Sequence, residues 1–208
     1  MIITIFGATG MVGKQLVREA LIMGHHVKAF GRNVFTANFP SHNNLEIISG
    51  ALFDEDQVFK AVQGSDAVIS VVGGSIDGLD KTRSVGMKNI VKQMEKAGVK
   101  RIIALGGKGI LDSGESLLMD EPDYPQEFLA VGKEHYTAYQ ILKDSDLDFT
   151  VIGSPDIIEG YPTGSFHTSP DAPPENDNNK IFSGDLSLFM LQELTKGDYI
   201  RKRVGISN

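Results

Sequence analysis

The chain has 208 residues, 23 of them Gly and none of them Cys. Without Cys it carries no disulfide, thiolate metal site or Cys nucleophile, and its length suits one domain that buries its own core. Lys+Arg 20 against Asp+Glu 27 gives a net charge of -7, which argues against a nucleic-acid partner but leaves room for a local cradle that holds a small anion. The first ten residues, MIITIFGATG, lack a basic start, and their apolar run is short. They do not read as a signal peptide, so a cytoplasmic location is expected. No apolar stretch reaches the ~18 residues of a membrane span.

In chain order, residues 2–6 form an apolar, β-branched run of the kind buried on both faces of a parallel sheet. Residues 11–23 follow as a helix, with Val12, Leu16, Ala20 and Met23 at helical spacing and Gly24 as a left-handed stop. Strands are expected at 26–30 and 45–48, a short helix at 54–62 and a fourth strand at 67–72. A longer helix covers 81–97 and closes at Gly98. A fifth strand at 101–105, a helix at 125–143 and a sixth strand at 149–152 complete the alternation. Strands separated by helices need right-handed crossovers, which predicts an α/β fold with a doubly wound parallel sheet of Rossmann type, strand order 3-2-1-4-5-6.

The last third departs from that rhythm. Residues 1–153 read as the dinucleotide-binding core of a single domain, and 154–208 as a small extension of loop, helix and edge strand on the substrate side. Residues 160–180 are rich in Pro and Asn and have no helical period. They are either a surface loop or a wall over a ligand site. Residues 185–195 return as an amphipathic helix, and 201–206 as a final edge strand.

The strongest signal is Gly7-Ala8-Thr9-Gly10-Met11-Val12-Gly13, between the first strand and the first helix. A sharp turn, a close approach of diphosphate to backbone and tight helix–strand packing each demand a glycine here. The helix start then offers free N–H groups to phosphate. At the end of the second strand stand Arg32 and Asn33, where an NAD-preferring site usually places an acid. A guanidinium there suits a 2′-phosphate, so NADP(H) is expected, with NAD(H) as the alternative. Ala51 and Leu52 after the third strand should lie beside the adenine. Val72, Gly73 and Gly74 after the fourth strand, with Leu105 and Gly106 at the end of the fifth, should border the nicotinamide half. No His or acid cluster suggests a metal.

The stretches ITIFGATGMVGKQLVREALIMGHHVKAFGRN, DAVISVVGG, KRIIALGG, LKDSDLDFTVIGSP and FSGDLSLFMLQEL resemble, in order and spacing, the atypical short-chain dehydrogenase/reductase group of NAD(P)H-binding proteins. The short C-terminal part looks most like the biliverdin reductase B and flavin reductase-like members, while the NmrA-like regulators are similar in the first half. The resemblance implies a Rossmann fold and NAD(P)H binding, with Pro155 and Ile157 flanking the nicotinamide carboxamide. It also places His135 in the nicotinamide pocket, as the candidate catalytic side chain. Three departures stand out. Ala51 replaces an Asp that contacts adenine, Gly106 and Gly107 replace a strand-end Ser, and Ser154 replaces an Arg ahead of Pro155.

Tyr139 and Lys143 match Tyr-x-x-x-Lys in spacing but lie about two helical turns beyond the active register, so they read as a packed Tyr beside a solvated Lys. The acidic stretch from Asp112 to Glu127 is either a solvated loop or the border of a substrate mouth that disfavours anions. The expected function is an NADPH-dependent oxidoreductase that passes hydride to a flat small-molecule acceptor such as a flavin or quinone, acting as monomer or homodimer. A non-catalytic NAD(P)H sensor is the alternative, and a sugar-nucleotide epimerase or dehydratase a more distant one.

Overall fold

The apolar run Ile2–Phe6 becomes β1 at the centre of a mostly parallel sheet. The computed structural model describes residues 1–75, 77 and 79–208. From β1 the chain enters α1 (Met11–Ile22), then β2 (His26–Gly31), β3 (Leu45–Ser49) and α2 (Glu55–Val62). Next come β4 (Ala67–Ser70), α3 (Thr82–Ala97) and β5 (Arg101–Gly107). A two-stranded hairpin, β6 (Asp112–Ser113) and β7 (Ser116–Leu117), precedes α4 (Gln126–Lys143) and β8 (Asp148–Ser154). The late part contains β9 (Asp156–Ile158), β10 (His167–Pro170), β11 (Lys180–Phe182), α5 (Ser183–Lys196) and β12 (Lys202–Ser207).

Among the described residues the main sheet runs β3-β2-β1-β4-β5-β8-β12-β10. Its first six strands carry the expected 3-2-1-4-5-6 order, all parallel. The reversal between β1 and β4 is the switch point where α/β sheets bind ligands at their carboxyl edge. One core layer lies under α1 and α5, around Ile3, Ile5, Leu16, Leu186 and Met190. The other lies under α2, α3 and α4, around Phe6, Phe30, Ile90, Met94 and Phe149. Phe6 and Phe30 meet edge to face at 5.0 Å between ring centres. The helix ends follow local chemistry: Asp54 accepts from the Gln57 N–H at 2.9 Å to start α2, and left-handed Gly98 ends α3.

The structure corrects two expectations. The fourth strand ends at Ser70 rather than at residue 72. The final strand, moreover, is not an edge: β12 pairs in parallel with β8, and β10 lies outside it, antiparallel. Residues 160–180 therefore contain an edge strand instead of running as an irregular loop throughout. Side-chain ties that local patterning does not display hold this segment down. Asp185, fully buried, accepts from the N–H groups of Thr163 at 2.7 Å and Gly164 at 2.8 Å and from the Thr163 hydroxyl at 2.7 Å. Arg203 grips both carboxylate oxygens of Asp112, at 2.8 and 2.9 Å, and its N–H donates to Asp171 at 3.1 Å. Among the described residues, no helix is long and apolar enough to cross a membrane, and no group of three or more His, Cys, Asp or Glu could hold a metal ion.

Candidate dinucleotide site and the adjoining cavity

The turn after β1 is shaped by what its glycines exclude. Gly7 has φ +82, and a Cβ on it would stand 2.6 Å from the Val71 carbonyl oxygen. A Cβ on Gly13 would stand 2.1 Å from the Gly7 oxygen, so α1 packs against the turn with no room for a side chain. Gly10 differs, because a Cβ there would meet only the Gly7 oxygen, at 3.6 Å. The space above it is open to a ligand. Gly10 caps α1 without any side-chain hydrogen bond, and the first turn has no acid. The N–H groups at Met11, Val12 and Gly13 thus begin a helix that no local anion neutralises, the arrangement a diphosphate needs. Ala8 is buried under the turn, and the Thr9 methyl faces Gly31 at the end of β2. These residues fit a dinucleotide.

Arg32 and Asn33 follow β2 and are exposed at the same sheet edge. Past β3, Gly50 leaves room for the Phe30 ring, which a Cβ would approach to 2.5 Å. The Ala51 N–H donates to Gln57 Oε1 at 2.7 Å, and the Leu52 carbonyl accepts from Asn89 at 2.8 Å. Both backbone positions are therefore held in place from below. Val72 and Gly73 lie beyond β4, and nothing stands within 4 Å of a Cβ built on Gly73. Gly74 is tied down: its carbonyl accepts from Arg83 at 2.9 Å, and the Ser75 carbonyl from the same guanidinium at 3.0 Å. Asp80 accepts from the Ser75 and Thr82 N–H groups, each at 2.7 Å, and the Thr82 hydroxyl first, then these two N–H groups, hold its carboxyl down to about 2. Arg83 carries no signal in the sequence, because an Arg in the first turn of a helix has no pattern of its own.

The end of β5 divides two roles. A Cβ on Gly106 would press on Ile110 at 2.8 Å and the Ile152 oxygen at 3.1 Å, so packing by itself requires that glycine. Leu105 packs against the core layer under α1. Gly107 makes room for His135 of α4, whose Cδ2 would lie 3.1 Å from a Cβ at that position. His135 is partly buried. Burial first, and then the Arg83 guanidinium, push its pKa down to about 4 against a smaller opposing pull from Glu134. The imidazole is neutral at pH 7. Glu134, next to it on α4, is buried and accepts from Ser84 Oγ at 2.8 Å and Lys81 Nζ at 3.0 Å. Burial alone would raise its carboxyl, and these partners outweigh burial and lower it.

A cavity of about 380 Å³ opens beside these strand ends, lined among others by Gly107, Tyr124, Phe128, His135, Pro155 and Asn179. Tyr124 is built in. Its hydroxyl fills space that a Cβ on Gly109 would occupy, at 2.6 Å, and lies within contact distance of Gly132. Leu118, Glu121 and Asp123 add to the wall, so the acidic stretch borders a mouth. Neither Tyr124 nor Phe128 was picked out in the sequence, because both belong to an irregular segment and to the helix start behind it. Pro155 lines this cavity, whereas Ile157 packs into the core near Ile181, so the structure does not bring the two together on one wall. Tyr139 packs against Phe149 at 6.2 Å between ring centres and under Arg203 at 5.2 Å, while Lys143 is exposed. Tyr139 is thus a packed side chain and Lys143 a solvated one.

A family model described as NAD(P)H-binding matches residues 7–196. The chain belongs to this family. The fold agrees with a Streptococcus pneumoniae protein assigned provisionally as an NADH-flavin reductase, at 27% identity and TM-score 0.84 over 99% of this chain and 98% of that one. It agrees equally with a Burkholderia pseudomallei protein assigned provisionally as exported, at 30% identity and TM-score 0.86 over 100% of both chains. The photosystem II assembly factor Ycf39 of a Synechocystis species is 27% identical over 144 residues, which cover 68% of this chain and 44% of that protein. The chain thus spans less than half the length of this curated relative.

The structure shows the surroundings of the three positions at which the resemblance marked a departure. The Ala51 N–H is engaged by Gln57. Gly107 leaves space that His135 fills. Ser154 is buried, with its hydroxyl donating to the Pro155 carbonyl at 3.1 Å.

Proposed function

We propose that the chain is an NADPH-dependent oxidoreductase that reduces a flat acceptor, a flavin or a quinone, held in the cavity beside β5 and α4. The observation that carries this reading is the cavity itself. It lies at the ends of β5 and β8, on the same carboxyl edge of the sheet as the glycine turn after β1, and Tyr124, Phe128 and Pro155 line it with apolar surface. A mostly apolar pocket with a few fixed polar groups at this edge is the usual place for a small substrate.

Gly7 to Gly13 would hold the diphosphate, Arg32 and Asn33 the 2′-phosphate, and Ala51 and Leu52 the adenine side. Val72, Gly73 and Gly74 would border the nicotinamide half. When bound, the reduced nicotinamide supplies a hydride, and solvent supplies the proton that completes reduction of the acceptor. The chain's residues orient and exclude water. Neutral His135 can donate one hydrogen bond to a carbonyl while remaining neutral itself. Flavins and quinones accept hydride without a strong protein acid, which suits a site whose Tyr139 and Lys143 serve packing and surface. That same lack of an acid is what a non-catalytic NAD(P)H sensor would show.

The test is NADPH consumption, followed by nicotinamide absorbance, with riboflavin, FMN, a quinone and a buffer blank, each repeated with NADH. Turnover with one acceptor class, faster with NADPH, is expected. Tight binding without turnover across the panel would replace the reductase by the sensor.

A further inference from the structure

The mouth of the cavity is not neutral. Glu121, Asp123 and Asp156 stand on its lining. The Ser116 hydroxyl donates to Glu121 at 2.8 Å, which fixes that carboxylate in place. Among the described lining residues the one cation is Lys108, and it is already engaged: its ammonium meets Asp177 at 2.5 Å and Asn179 Oδ1 at 2.8 Å. Both partners come from the late segment that walls the cavity. The charge of Lys108 is therefore cancelled by an acid that is itself largely buried, with 15% of its side chain exposed. His135, at the inner end, adds no positive charge. Among the described residues of the lining, three carboxylates stand with no cation besides the paired Lys108.

We infer that this mouth selects acceptors by charge, admitting uncharged ring systems such as riboflavin or a plain quinone and disfavouring those that carry a phosphate or sulfonate. The inference rests on the reading of the cavity as the acceptor site. Riboflavin and FMN share one ring system and differ only in a terminal phosphate. With the ring inside, that phosphate must sit near the mouth, among like charges. Repulsion between exposed charges acts over roughly 10 Å at 0.1 M salt and fades as salt rises. Rejection by misplaced like charge is an ordinary route to specificity.

The experiment compares riboflavin with FMN, and a benzoquinone with a sulfonated quinone, on the wild-type protein at low and high salt. At low salt kcat/KM should favour the uncharged member of each pair by about tenfold, and the preference should shrink toward unity at high salt. The triple variant Glu121→Gln, Asp123→Asn, Asp156→Asn should lose the preference at low salt. The salt series needs no variant, so a misfolded triple mutant leaves the test intact. Equal rates for both members at low salt, or a preference that salt leaves unchanged, would overturn the inference. Should no acceptor turn over, the reductase reading fails, and quenching of flavin fluorescence by the NADP+-loaded protein then decides the charge question. Tighter riboflavin than FMN binding, relieved by salt, supports charge selection, and equal or absent quenching rejects it.

Discussion

Gly107 and His135 are fitted to each other: the imidazole Cδ2 lies 3.1 Å from where a Cβ on Gly107 would stand. The missing side chain at the end of β5 is what lets a helix-borne ring reach the cavity. Burial and Arg83 hold the folded pKa of that ring at about 4, against roughly 6.5 in an unfolded chain. Between these values the unfolded chain binds the extra proton, so stability rises with pH up to about 6.5 and falls as acid approaches 4. His135→Gln should remove a part of acid destabilisation on the order of 1–2 kcal/mol between pH 6.5 and 5. Urea midpoints of wild type and variant at both pH values would show it, and parallel pH curves would refute it.

Gly10 and Gly13 separate ligand binding from folding. The Cβ of Gly10→Ala meets only ordinary contact, at 3.6 Å, and should leave Tm within a few degrees. It should still weaken NADPH binding at least about tenfold, by blocking the approach of diphosphate to backbone. Gly13→Ala drives a methyl to 2.1 Å from the Gly7 oxygen and should lower stability by several kcal/mol, on the order of other strained core insertions. Calorimetry and cofactor titration on both variants check the contrast.

Arg32 should decide the choice of dinucleotide. It is exposed just past the end of β2. A charge-assisted pair with a 2′-phosphate contributes about 1.5–3 kcal/mol. Arg32→Ala should therefore raise the Kd for NADPH about tenfold or more and leave that for NADH nearly unchanged. If the two affinities fail to converge, another residue reads the phosphate.

Glu134 anchors α4 to the first turn of α3, and its partners should contribute unequally. The Glu134 side chain is 6% exposed and that of Lys81 59%. Glu134→Ala leaves Ser84 and its N–H without their acceptor and should cost about 2–3 kcal/mol. Lys81→Ala removes an exposed cation and should cost less than about 1 kcal/mol. Denaturant melts of the two variants would expose an equal cost, which would contradict this ranking.

Much of the fold was legible because it is locally written. Buried parallel strands show as runs such as Ile2–Phe6, crossover helices show as periodic stripes, and Gly7, Gly10 and Gly13 mark a turn that few other residues permit. In the late third, α5 and β12 were legible in the same way, but the short strands around them were not. β10 and β11 are three or four residues long, and their pairing depends on distant ties such as Asp185 to Thr163 and Arg203 to Asp112. No window of sequence displays a partner that far away. The cavity was half legible for the same reason. His135 and Pro155 came from a resemblance, whereas Tyr124, Phe128 and Arg83 acquire meaning only once α3 and α4 stand beside β5. Gly106 is a reminder that a glycine at a promising strand end can be needed for packing alone.

The antiparallel strand β10 has a colloidal consequence. It covers β12, whose residues Val204 and Ile206 are almost fully buried, and it is short, with Pro170 at its end. A strand of that kind offers little for a second chain to pair with. Removing residues 160–170 would leave the six-residue strand β12, with Val204 and Ile206 in it, bearing a bare row of backbone donors and acceptors. Proteins so stripped should gather through their open flanks and scatter light well below the temperature at which the intact chain melts.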